Sequence, residues 1–204
     1  MAQQQEPSLL VLDCDMCLWE PEMYELSREP EEAVYGDLGG RGKGVVGAKA
    51  SEHEVVRLFP GALKCLQAFA DGKFKSTRLA VASSADTPLA VRCAMKSMSM
   101  LEVLPGLTIR ELLGRGFPQG FSGNIQVGRS GKLSSNKTTH FRELKKETGI
   151  LFDEMLFYDD CNWGDNCLVV ERGCPGVVTQ KTPNGMTEKE FRLGLEKFAK
   201  AKSK

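Results

Sequence analysis

The sequence predicts an α/β fold, a doubly wound parallel sheet covered by helices on both faces. Three observations predict it. Short apolar runs of strand length recur at Leu9–Leu12, Leu79–Ala82 and Met155–Tyr158. Each is too short for a helix and lacks the polar alternation of a half-exposed strand, so each reads as a strand buried on both sides. Segments with helical spacing separate them, and alternation of this kind implies right-handed crossovers and a parallel sheet.

The first strand, Ser8 to Leu12, runs directly into Asp13-Cys14-Asp15-Met16-Cys17-Leu18-Trp19. Residues i and i+2 of an extended chain project to the same side, so Asp13 and Asp15 emerge together at the strand's carboxyl end. Two carboxylates about 4 Å apart repel by roughly 4 kcal/mol at an effective dielectric of about 20. A fold that gathers them supplies a cation or keeps one protonated.

Residues 20–58 are irregular, with an acidic patch at Glu29-Pro30-Glu31-Glu32 and a glycine-rich passage from Gly36 to Gly44. The passage is not a P-loop, because Gly42-Lys43 is followed by Gly44 rather than Ser or Thr. It reads as a mobile loop or small hairpin, placed in sequence where it could fold over the site as a flap.

Pro60 to Asp71 reads as a helix with Leu63, Leu66 and Ala70 on one face. The second strand ends in Ser83-Ser84, and Asp86 or Thr87 caps a helix from Pro88 to Met98. Residues 101–123 are broken by prolines and glycines and stay unassigned. Asn124 to Val127 follows as a strand, then a helix from Asn136 to Thr148 stopped by Gly149. Lys137, Phe141, Leu144 and Thr148 fall at intervals of 4, 3 and 4, so a lysine shares the apolar face at the helix's first turn. The third apolar strand ends in Asp159-Asp160. Asn162 or Asp165 opens a helix closing at Gly173, Val177-Val178 is a last short strand, and Thr187-x-x-Glu190 opens the final helix. In a parallel sheet all the strand carboxyl ends lie on one edge. Separate segments therefore deliver carboxylates, hydroxyls and an ammonium to one crevice.

Lys plus Arg (27) balances Asp plus Glu (27), and no aromatic-interleaved basic patch suggests nucleic acid. The basic end at Lys197, Lys200, Lys202 and Lys204 reads as a solvated helix terminus. Met1 to Pro7 is polar, without the charged-then-apolar plan of a signal peptide, and no apolar run reaches the roughly 18 residues of a membrane span. Seven cysteines lack disulfide rhythm, and the Cys14-x-x-Cys17 pair has no second pair at zinc spacing. His140 reads as a helix-surface or supporting group. A cytoplasmic protein with no membrane or nucleic-acid partner is expected; its oligomeric state is left open.

The ordered set Leu9–Trp19, Val81-Ala82-Ser83, Lys137-Thr138-Thr139-His140-Phe141 and Met155–Asn162 resembles the haloacid dehalogenase superfamily, in particular its small magnesium-dependent, acid phosphatase-like members. The resemblance implies a Rossmann-like core, one domain over residues 1–204 with a flap insertion at about 20–58, and no large cap domain. It implies Asp13 as nucleophile and Asp15 as general acid and base. It also implies Mg²⁺ on the Asp13 carboxylate, the Asp15 backbone carbonyl and one of Asp159 or Asp160, with Asp160 favoured. Ser83, Ser84 and Lys137 would hold the phosphoryl oxygens. The expected substrates are phosphosugars or phosphorylated protein side chains of the phosphotyrosine type. A non-catalytic scaffold and a phosphotransferase with a non-water acceptor stand as alternatives. Two departures from the family pattern are Cys17, where Thr is usual, and Ser84, where Arg often follows the serine.

Overall fold

The computed structural model describes residues 5–203. The polar start at Met1–Gln4 and the final Lys204 lie outside the described residues. In chain order the elements begin with strand β1 (Leu9–Leu12) and an insertion. The insertion holds β2 (Trp19–Glu20), a 3₁₀ turn at Met23–Glu25, β3 (Glu32–Asp37), β4 (Lys43–Lys49) and β5 (Val55–Leu58). Then come α1 (Pro60–Ala70), β6 (Arg78–Ser83), α2 (Pro88–Met100), β7 (Glu102–Leu104), β8 (Leu107–Thr108) and α3 (Ile109–Leu113). The chain closes with β9 (Ile125–Val127), α4 (Lys137–Thr148), β10 (Met155–Asp159), α5 (Asn166–Gly173), β11 (Val178–Lys181) and α6 (Glu188–Lys202).

Five strands form the central sheet in the order β11-β10-β1-β6-β9, all parallel. The α/β doubly wound expectation holds. Alternation along β1 divides the core. Leu10 and Leu12 face one side with residues of α1, α2 and α6, among them Leu66, Ala94 and Phe198. Leu9 and Val11 face the other side with Phe141 and Leu144 of α4 and Val170 of α5. Both faces of β1 are fully buried, which is why its sequence shows no polar alternation.

Capping resolves the open helix starts. The Thr87 hydroxyl accepts from the Ala90 N–H, and the Asp165 carboxylate accepts from the Leu168 N–H, so these residues rather than Asp86 and Asn162 open α2 and α5. Asn136 caps α4 through the Thr138 N–H, and Gly149 ends that helix with φ of 72°.

Two stretches hold more regular structure than the sequence pattern assigns. The small hairpin read from the glycine-rich passage is present as β3–β4, and residues 20–58, together with Trp19, extend it into a four-stranded antiparallel sheet in the order β2-β5-β4-β3 rather than an irregular region. Its strands are hard to read because β3 is largely exposed and β4 is interrupted by Gly44 and Gly47, while a few residues such as Trp19, Met23, Ala48 and Val56 anchor the sheet to the core. Within the insertion, Glu22 and Tyr24 lie at the carboxyl edge near Asp15, while the glycine-rich turn is seated elsewhere. Arg41 at the turn forms a paired ion contact with Asp71, the residue capping the end of α1. That helix ends just before β6 begins, so Asp71 lies toward the sheet's amino-terminal edge. The Gln67 side chain reinforces the seating by donating to the Leu38 carbonyl at 2.8 Å. The second stretch is residues 101–123, unassigned from the sequence, which contain a β7–β8 hairpin and then α3, opened by a Thr108–Glu111 capping box.

Candidate active site

A cavity of about 510 Å³ opens at the carboxyl ends of the central strands. Asp13, Ser83, Lys137 and Asp160 line its floor region, and Asp15, Ser84 and Arg129 also border it. The structure thus brings six of the seven sequence-predicted residues to one cavity. Asp159 sits directly behind them, fully buried.

Each group is placed by a local device. Asp13 follows β1, and its N–H is bonded to the Tyr158 carbonyl of β10 at 2.9 Å. The chain then turns through Met16 in the left-handed region (φ 55°), and Leu18 donates back to the Cys14 carbonyl. This turn returns Trp19 to Asp15: the indole Nε1 donates to Asp15 Oδ1 at 2.8 Å, and the Met23 N–H donates to Oδ2 at 3.0 Å. Burial pushes the Asp15 carboxyl up to about 6, against the lowering effect of these two donors.

Lys137 stands at the first turn of α4 with its apolar stem on the helix's buried face. Its ammonium donates to Asp13 Oδ1 at 2.5 Å and to the Ala82 carbonyl at 2.6 Å, and lies 3.3 Å from Asp159 Oδ2. Burial alone would lower the lysine's pKa, but the Asp13 and Asp159 carboxylates more than reverse that and hold it above its ordinary value. Asp13 is raised by burial and by repulsion from Asp159 and Asp160, with Lys137 opposing.

Oxygen atoms of Asp13, Asp159 and Asp160 lie within 4.8 Å of one another. Three carboxylates against one ammonium leave an excess of two negative charges in a buried space. An all-oxygen donor set with that excess fits a hard divalent cation such as Mg²⁺. The two neighbouring aspartates differ in what they already hold. Asp159 accepts from the Cys161 N–H and from the Asn166 amide and faces Lys137, whereas Asp160 accepts from the Asn162 N–H and borders the cavity.

Ser83 and Ser84 border the cavity beside this cluster, and the Ser84 hydroxyl is buried without a hydrogen-bond partner among the described residues. Cys17 takes part through weak sulfur contacts, with the Thr182 hydroxyl donating to its sulfur at 3.3 Å.

One residue escaped the sequence reading, and another was left between two roles. Arg129 follows Gly128 at the end of β9, and its Nε donates to the Ser84 carbonyl at 2.9 Å. A guanidinium therefore rests on the serine loop although the residue after Ser83 is not arginine. The other is His140: of the two roles left open for it, the structure excludes the helix surface and agrees with the supporting one, because the ring is fully buried. Its Nε2 lies 3.1 Å from the Ser83 carbonyl and 3.0 Å from the Gly128 carbonyl, so one ring ties the two loops together. The spacing Lys137-x-x-His140 was visible, but nothing local showed that the ring points at the sheet.

A family described as acid phosphatase matches residues 5–201. The chain belongs to the acid phosphatase family. Among its relatives is human magnesium-dependent phosphatase 1, 38% identical over 68 residues, which are 33% of this chain and 36% of that protein. A similar fold occurs in the N-terminal part of a Bacteroides fragilis protein containing a phosphatase domain complexed with Mg. That likeness covers 95% of this chain and 41% of the other, with a TM-score of 0.52 at 18% identity. The aligned regions span less than half the length of either relative. The resemblance drawn from the motifs holds, and among the described residues this acid phosphatase family member has no large cap domain.

His140 carries a pH signature. Burial, with Lys137 nearby, lowers its pKa to about 4, so the folded protein binds fewer protons here than the unfolded chain does. Its contribution is therefore present above the unfolded value of about 6.5 and is lost as pH falls toward 4. The stability advantage of wild type over His140→Asn should grow by about 3 kcal/mol between pH 4 and pH 7. Urea unfolding of both proteins across that range checks it; a constant difference would refute the assignment.

Proposed function

We propose that the chain is a Mg²⁺-dependent phosphomonoesterase acting through a phosphorylated Asp13, on phosphosugars or phosphorylated protein side chains. The observation that carries this reading is the convergence of Asp13, Asp159 and Asp160 on Lys137 at the carboxyl edge of the sheet.

Asp13 attacks phosphorus, and the bond to the ester oxygen breaks as Asp15 delivers its proton to the departing alcohol. Asp15, now a carboxylate, takes a proton from water. The water oxygen attacks phosphorus, and Asp13 is released with inorganic phosphate. The raised pKa of Asp15 suits a group that must be acid in one half-reaction and base in the next. Lys137 holds Asp13 in place and, with Ser83 and Ser84, offers positive charge and hydrogen bonds to the phosphoryl oxygens. Asp13, Asp160 and the Asp15 backbone carbonyl would hold Mg²⁺, with Asp159 supporting from behind. When bound, the cation offsets the charge that two carboxylates and a phosphoryl group bring together. Seven free thiols, six of them buried, agree with a cytoplasmic setting. Among the described residues no helix is long and apolar enough to cross a membrane.

The test is Asp15→Asn in Mg²⁺ with two substrates. Loss of the acid should slow an alkyl phosphate by about 10³-fold. An activated aryl phosphate, whose alcohol leaves unaided, should suffer far less in its first half-reaction. It should show a burst of alcohol release with phosphate retained on Asp13. Equal loss on both substrates without a burst, or turnover of the wild type unaffected by EDTA, would overturn the reading.

A further inference from the structure

The mouth of the cavity carries an unusual surface. Trp163 is 78% exposed and Tyr24 is 50% exposed, although both border the same cavity as Asp13 and Lys137. Large aromatic side chains are normally buried over most of their area, so two exposed together at a catalytic edge require a reason. Their rings meet edge to face, with centroids 6.3 Å apart and planes at 77°. They come from segments far apart in the chain, the 3₁₀ turn of the insertion and the loop after β10.

The tryptophan is held rather than loose, and Tyr24 packs edge to face against it. The Trp163 indole N–H donates to both oxygens of Glu22 at 2.9 Å, so its polar edge is satisfied by the protein. What remains for a ligand is the apolar ring face. Its position relative to the proposed chemistry is also defined. Trp163 lies three residues beyond Asp160, and Tyr24 adjoins Met23, whose N–H holds the Asp15 carboxylate. An alcohol that receives its proton from Asp15 departs beside this turn.

Resting on the phosphomonoesterase reading, we infer that Tyr24 and Trp163 form the leaving-group subsite, and that the substrates are phosphate esters whose alcohol presents a flat apolar face. That face can be an aromatic ring or one side of a sugar ring. Fixing the aromatic pair in advance lowers the ordering cost of binding such a group. A thin, flexible alcohol gains nothing from it.

The experiment compares phenyl phosphate, glucose 6-phosphate and glycerol phosphate as substrates of the Mg²⁺-loaded full chain, its Trp163→Ala variant and its Trp163→Phe variant. The ratio of kcat/KM for a flat-faced ester to that for glycerol phosphate should fall about tenfold in Trp163→Ala and recover largely in Trp163→Phe. A fall for phenyl phosphate alone assigns the subsite to aryl esters, and a fall for glucose 6-phosphate alone assigns it to sugars. Ratios that stay constant across the three proteins overturn the subsite and leave the phosphatase reading standing. Absence of wild-type turnover of all three esters overturns both.

Discussion

Asp13→Asn in the presence of Mg²⁺ is expected to lower turnover of an aryl phosphate by about 10⁵-fold or more. The amide cannot form the phosphorylated intermediate, and Asp159, the other carboxylate beside Lys137, is fully buried behind the cavity rather than lining it. The loss should not come from misfolding. Three carboxylates face one ammonium in this cluster, so the amide removes one unbalanced negative charge from a buried space. Lys137 keeps Asp159 and the Ala82 carbonyl as partners. Thermal unfolding of the apoprotein should therefore stay at or above the wild-type temperature. The upward shift produced by saturating Mg²⁺ should shrink, because one ligand has gone. Measuring both quantities on one preparation separates chemistry from folding. Substantial turnover by Asp13→Asn would mean that another group is the nucleophile.

Lys137→Met is expected to show the largest stability effect, a loss of about 3–5 kcal/mol at pH 7 without metal. The methionine fills much of the stem's space, but Asp13, Asp159 and Asp160 then share a buried region with no counter-charge. The sign of the pH dependence follows from their environment. Burial already raises Asp13 and Asp160, and removal of the ammonium takes away a lowering influence on both. A carboxyl whose folded pKa exceeds its unfolded value makes the fold bind more protons as pH falls, so the variant should regain stability on acidification toward about pH 5. Mg²⁺ should restore part of the loss at pH 7 by replacing the missing positive charge. Urea unfolding at the two pH values, with and without Mg²⁺, measures all three effects. A variant as stable as wild type at pH 7 would show that the cluster does not depend on Lys137.

The contrast between β1 and the insertion explains how far the sequence could be read. A strand buried on both faces announces itself, because Leu9 to Leu12 have no solvent-facing position to fill with a polar residue. The polar residues that end such strands could then be assigned to one edge by topology alone, which gathered Asp13, Asp15, Ser83, Ser84, Asp159 and Asp160. Lys137 was legible by helical spacing. In β3 and β4 the signal is diluted: Gly36, Gly44 and Gly47 interrupt the pattern, and the sheet relies on sparse anchors. Arg129 was illegible, and His140 only half legible, for another reason. Their roles are contacts with backbone carbonyls of distant segments, Ser84 for one and Ser83 and Gly128 for the other. Backbone acceptors leave no mark on the partner's residue type, so no pattern in the chain points to them. The exposed pair Tyr24 and Trp163 was hidden in the same way, since only the fold brings them to one rim.

The glycine-rich turn has a practical use. Gly39 and Gly40 both have positive φ, where an added side chain would be strained, so the exposed Lys43 beside them is the better point of attachment. The turn hangs at the end of the flank held by Arg41 and Asp71, away from the strand ends that surround Lys137. A fluorescent reporter or surface tether attached there would report on the whole molecule, or hold it, while leaving the reaction chamber open to its reactants.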